Sequence, residues 1–195
     1  MNKILLVFSE TAVSVFGIYF KLQSFVFMPV FGLTNGLIPI VAYNFGAGKK
    51  ERIIKAIRLA CIYALAIMLA GMIVFIAFPA QMIGMFASSE ESLGAMVAIG
   101  VPALRLISLS FLGAAVGIVL SSVFQAVGNG MYSLIMSLTR QLAILLPVAW
   151  VMARFVSLDA VWLAFPIAEM VSLCLALVMY RRIYHRQIST LKTAP

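Results

Sequence analysis

Between Val13 and Phe45 the sequence carries a single charged side chain, Lys21. That stretch is well beyond the roughly 20 apolar residues that carry an α-helix across a hydrocarbon core of about 30 Å. Four more apolar stretches follow, and charge gathers in the gaps between them. With 64% of residues hydrophobic and 10% charged, no water-facing surface can be assembled, because a soluble domain gives about a quarter of its residues to charge. The chain is therefore read as an all-α integral membrane protein with five full transmembrane helices, and a separate soluble domain is excluded. The net charge of +8 does not point to nucleic acid, because the basic residues cluster at the ends of apolar runs, as they do in cytoplasmic loops. The first partner implied is the lipid bilayer.

The boundaries follow from breakers and charges. Residues 1–9 are apolar but too short to cross, and read as the stub of a preceding helix. Lys3 followed by Ile4 to Phe8 has the look of a signal peptide, yet Ser9-Glu10-Thr11 interrupts the run after about five residues, so no cleavage is expected. The same three residues mark a helix start. The five helices are expected at 13–45, 52–78, 93–125, 131–154 and 159–183, within one helical lobe over 1–186 and with a disordered tail at 187–195. Gly46-Ala47-Gly48 ends the first, and Gly128-Asn129-Gly130 makes a tight turn after the third. Pro29, Pro39, Pro102, Pro147 and Pro166 lie inside the runs and are candidates for helix kinks.

Orientation follows from counting Lys and Arg. Four crossings separate the cluster Lys49, Lys50, Arg52, Lys55 and Arg58 from the tail cluster Arg181, Arg182 and Arg186, so both lie on one side. The connections on the other side carry only Arg154, and the acidic segment from Ser88 to Ser92 has no basic residue. The basic side, and with it the C-terminus, is expected in the cytoplasm.

Ionisable groups inside a membrane are costly and are paired or turned toward a cavity. Lys21, Arg105, Arg140 and Glu169 lie roughly 12–21 Å from the outer helix ends at about 1.5 Å per residue. Arg140 and Glu169 sit on consecutive antiparallel helices joined by a short link, which makes them the expected ion pair. Two readings stay open for these charges together with Asn35 and Gln125. Either they line a transport pathway or gate, or they are structural locks bonded to carbonyls that the prolines free. The 12 Met and 14 Phe have a similar double reading, as a soft wall for apolar ligands or as packing. Catalysis has no constellation to rest on: the single His185 lies in the basic tail, and neither a zinc motif nor a paired carboxylate is present. Cys61 and Cys174 fall inside apolar runs, so no disulfide, metal site or covalent cofactor is expected, and the chain is not read as an enzyme.

A set of fragments in fixed order then resembles one family. They are Phe16-Gly17-Ile18 with Lys21, Met28-Pro29-Val30-Phe31-Gly32-Leu33, and Pro39 through Gly48 followed by Arg52. Further along come Phe86, Ala103-Leu104-Arg105, Phe124-Gln125-Ala126-Val127-Gly128, Ser137-Leu138-Thr139-Arg140, and Val161-Trp162 with Pro166-Ile167-Ala168-Glu169. Over residues 10–185 the pattern is similar to the C-terminal half of multidrug and toxic compound extrusion (MATE) transporters. The resemblance implies a twelve-helix exporter of two six-helix lobes, in a bacterial inner membrane, exchanging Na⁺ or H⁺ for organic cations and other xenobiotics. This chain looks like helices eight to twelve with the tail of seven. The implied partners are small organic substrates and an N-terminal lobe or a second copy of the chain. Ion-coordinating acidic residues of the family lie largely in those other helices or in the helix matching Leu93 to Gln125, which here has no Asp or Glu. A lipid-linked saccharide flippase of the same superfamily, and an inactive or assembly-partner fragment, are the alternatives.

Overall fold

In the computed structural model, residues 1–87 and 90–191 are described, with 90–92 described by their backbone alone. Residues 88–89 of the acidic connection and the last four residues of the expected tail thus lie outside the described residues. Among the described residues the secondary structure is all helical: α1 (Asn2–Leu5), α2 (Glu10–Gly46), α3 (Lys50–Ala77), α4 (Pro79–Gly84), α5 (Glu90–Ser108), α6 (Phe111–Ala126), α7 (Gly130–Phe155) and α8 (Leu158–Ile188). Four of these, α2, α3, α7 and α8, are long and apolar enough to cross a membrane alone, and α5 and α6 meet the same test only together, as one bent pair, which makes up to five spans.

Local chemistry explains the ends. Ser9 Oγ accepts a hydrogen bond from the Ala12 amide at 3.1 Å and caps α2, and Ser157 does the same for α8 through Ala160. Gly48 (φ 70°) and Gly128 (φ 79°) take the left-handed conformation that turns the chain out of α2 and α6. A short helix after Pro79 carries the chain onward from α3, an element not anticipated from sequence.

The prolines and the breaks in the helical path coincide only in part. Pro29 and Pro39 lie within an uninterrupted α2, and Pro102 within α5. The 47° break comes at Leu109-Ser110, where no proline stands. There Ser108 Oγ donates to the Arg105 carbonyl at 2.9 Å and Ser110 Oγ to the Ile107 carbonyl at 2.7 Å, giving the backbone an alternative to helical bonds. Pro147 and Pro166 do mark irregularities. Thr139–Leu145, just before Pro147, is wound as a π-helix, and a turn at Leu163 precedes Pro166. Proline has no amide hydrogen and its ring crowds the carbonyl four residues back, so the preceding turn widens or breaks.

α2 packs on α3 and α6, α6 also packs on α3 and α8, and α7 lies against α8. Phe75, Phe111, Phe124 and Trp162 are fully buried between them. Lys50 Nζ lies 5.6 Å from the Tyr184 ring centroid and Asn129 Nδ2 donates to Gln187 Oε1 at 2.8 Å. These contacts gather the α2–α3 turn, the α6–α7 turn and the end of α8, and hence both basic clusters, at one end of the bundle. They also correct the disordered tail expected from residue 187: the helical path continues to Ile188, whose side chain is buried. An apolar residue at the right register gives that turn something to bury, and the polar letters around it hid this.

Candidate functional site

The π-wound turn before Pro147 carries Arg140, and the helix that restarts at Ala164 carries Glu169. Their side chains meet: Arg140 Nη1 donates to Glu169 Oε2 at 3.2 Å. This is the only salt bridge among the described residues, and its two members are unequal. The side chain of Glu169 is 8% exposed and that of Arg140 is 39% exposed.

Glu169 reaches its place because α6 is bare there. A Cβ on Gly113 would lie 2.9 Å from Glu169 Cγ, and one on Gly117 would lie 3.3 Å from Glu169 Oε1. Two glycines four residues apart stack on one face of a helix and let a neighbour approach closely. Their spacing was legible in the sequence, but as a packing signal with no indication of what it would receive. Gly113→Ala is therefore expected to cost about 1–3 kcal/mol in thermal unfolding of the detergent-solubilised chain, because the contact is with the stem of Glu169 rather than its flexible end. Gly17→Ala, where a Cβ meets nothing within 4 Å, is the control. Equal unfolding midpoints for the two variants would show that Glu169 is not wedged.

The pair stands between two cavities, each lined by both Arg140 and Glu169. The first, of about 200 Å³, is walled by the N-terminal part of α2 through Phe16, Tyr19, Phe20, Gln23 and Phe27, with Gln141 and Phe165. Its aromatic rings pack on one another, Phe16 with Phe165 at 5.9 Å and Tyr19 with Phe165 at 5.9 Å between centroids. The second, of about 260 Å³, lies toward the basic end and is polar: Thr34, Asn35, Ser121, Ser122, Gln125, Ser137 and Ser172 contribute to it. The Thr34 and Ser122 hydroxyls donate to carbonyls of their own helices, so their oxygen lone pairs stay available to a cation or water in the cavity. Glu169 is the one carboxylate in either lining.

Of the six polar residues singled out from sequence, four come together here: Asn35, Gln125, Arg140 and Glu169. Lys21 and Arg105 do not. Lys21 Nζ sits 5.5 Å from the Phe86 ring centroid, a cation–π contact outside both cavities. Arg105 Nε donates to the Ile76 carbonyl at 3.2 Å. That carbonyl is in the last turn of α3, where helix termini leave acceptors unpaired. Arg105 thus makes the kind of carbonyl contact that the lock reading expects. Tyr19 and Ser172, both buried, belong to the site and were missed. Ser172 lies three residues after Glu169, on the same helix face, so that spacing could have found it. Tyr19 comes from a distant helix with no sequence signal.

A family model described as MatE matches residues 1–151. Among curated proteins, the multidrug export protein MepA of Staphylococcus aureus is 30% identical, covering 89% of this chain and 37% of that protein. MepA of Staphylococcus saprophyticus is 27% identical, covering 92% and 39%. The chain therefore spans well under half the length of the curated relatives it matches. The fold is that of solved MATE structures: one in complex with MaL6 aligns with a TM-score of 0.88 at 23% identity, over 99% of this chain and 42% of that one. An inward-facing multidrug resistance MATE transporter aligns at 0.87 and 22% identity, over 98% and 44%.

Proposed function

Because the chain belongs to the MatE family of membrane transporters, we propose that it forms one lobe of a cation-coupled multidrug efflux antiporter that exports organic cations and other xenobiotics. The observation that carries this reading is the Arg140–Glu169 pair standing between an aromatic and a polar cavity. An organic cation in the first cavity meets ring faces, which attract positive charge, and a single carboxylate. Arg140, a coupling Na⁺ or H⁺, and the substrate then compete for Glu169. When either incoming cation takes the carboxylate, Arg140 is released, and its greater exposure lets it swing into a cavity. Exchange follows from the competition, since one carboxylate cannot hold both cations.

The name of the S. aureus relative supports the substrate class. The test is uphill efflux of ethidium from liposomes holding this chain together with the N-terminal half of such a relative, under an imposed Na⁺ or H⁺ gradient. Flux is expected, and Glu169→Gln should abolish its dependence on the gradient. No flux under either gradient overturns the reading.

The proposal includes an orientation in a bacterial inner membrane, with the basic end in the cytoplasm. In a Cys61→Ala/Cys174→Ala background, a cysteine replacing exposed Val156 should react with an impermeant thiol reagent from outside intact cells, and one replacing His185 only after lysis. The reverse pattern would invert the topology.

A further inference from the structure

On the face of α2 turned away from the polar cavity, a third and chemically different hollow opens. Successive helical residues are about 100° apart, so the face centred on Gly32, Gly36 and Ile40 lies about 150° around the helix from the face centred on Thr34, Asn35 and Ile38. These three line a groove of about 540 Å³ against α3. Neither glycine would meet an atom within 4 Å if it carried a Cβ, so the trough is open rather than a close helix contact. Its walls are almost wholly apolar, including Leu59 and Tyr63, while Arg52 and Lys55 stand at its basic end. Those two are one turn apart on the same face, and neither has an acidic partner within 4 Å among the described residues. From Lys55 to Tyr63 the groove runs about 12 Å along α3, a depth that takes the upper part of an acyl chain.

We infer that this groove binds an anionic phospholipid, with the phosphate held by Arg52 and Lys55 and an acyl chain lying over Gly32 and Gly36. The charge complementarity selects this occupant. A purely apolar partner leaves two cations unanswered, and a soluble anion leaves the trough empty, whereas basic sites between membrane helices take acidic head groups. The inference stands whatever the bundle transports.

Native mass spectrometry of the purified chain, released from detergent with dioleoyl phosphatidylglycerol or dioleoyl phosphatidylcholine, is the test. Phosphatidylglycerol should stay bound in preference. Arg52→Gln/Lys55→Gln should weaken its retention about 25-fold, at about fivefold per cation. Gly36→Leu, which fills the trough, should weaken it as well. If Gly36→Leu fails to fold, the exposed charge pair still decides. The control Arg181→Gln/Arg182→Gln removes as much charge from the same end of the bundle and should bind normally. Equal retention of the two lipids, equal loss in the control, displacement by glycerol 3-phosphate, or a lipid-free dimer that covers the groove would each overturn the assignment.

Discussion

Arg140→Gln should destabilise the detergent-solubilised chain by about 3 kcal/mol, while Glu169→Gln should cost much less. The asymmetry comes from burial. Removing Arg140 strands a carboxylate whose side chain is 8% exposed and pressed against Gly113 and Gly117, with no other basic side chain bridged to it among the described residues. Removing Glu169 frees a guanidinium that is 39% exposed and flanked by two cavities with polar walls, so it can be solvated by a small rotation. The double variant Arg140→Gln/Glu169→Gln should recover most of the loss, because two amides can bond one another without a buried charge. Thermal unfolding of all four proteins gives the coupling as the departure from additivity. Equal single costs that simply sum in the double would mean that the pair is an incidental contact.

A larger effect is expected in transport. The chain reconstituted by itself should show no gradient-coupled flux of ethidium or another organic cation, against clear flux when an N-terminal half is present. Alternating access needs two bundles that rock around a shared site. Here both cavities are walled by α2, α6, α7 and α8 of the one bundle, and large apolar side chains such as Phe25, Met28 and Tyr43 are left exposed along α2. One bundle can offer the carboxylate to a cation but has no counterpart to close over it. Purified chain in liposomes, sized so that its oligomeric state is known, provides the measurement. Coupled flux from a demonstrated monomer would refute the lobe assignment, while flux only from a dimer would identify the second copy as the missing bundle.

The sequence alone determined the number of spans, the shared side of the two basic clusters and the partnership of Arg140 with Glu169. Each rests on something additive along the chain: apolar length, charge count, and the depth reached after a known number of residues on consecutive antiparallel helices. Tertiary structure decided the rest. Proline positions are visible in the letters, but whether the helical path is interrupted there depends on local hydroxyls and on the packing of neighbouring helices. Thus Pro29 and Pro39 leave α2 whole, while Ser108 and Ser110 accompany the 47° bend. Depth likewise placed Lys21 and Arg105 level with Arg140 and Glu169, but depth carries no azimuth. The rotation of each helix, set by packing against its neighbours, sends Lys21 to Phe86 and Arg105 to the Ile76 carbonyl, and leaves Glu169 against the two glycines of α6.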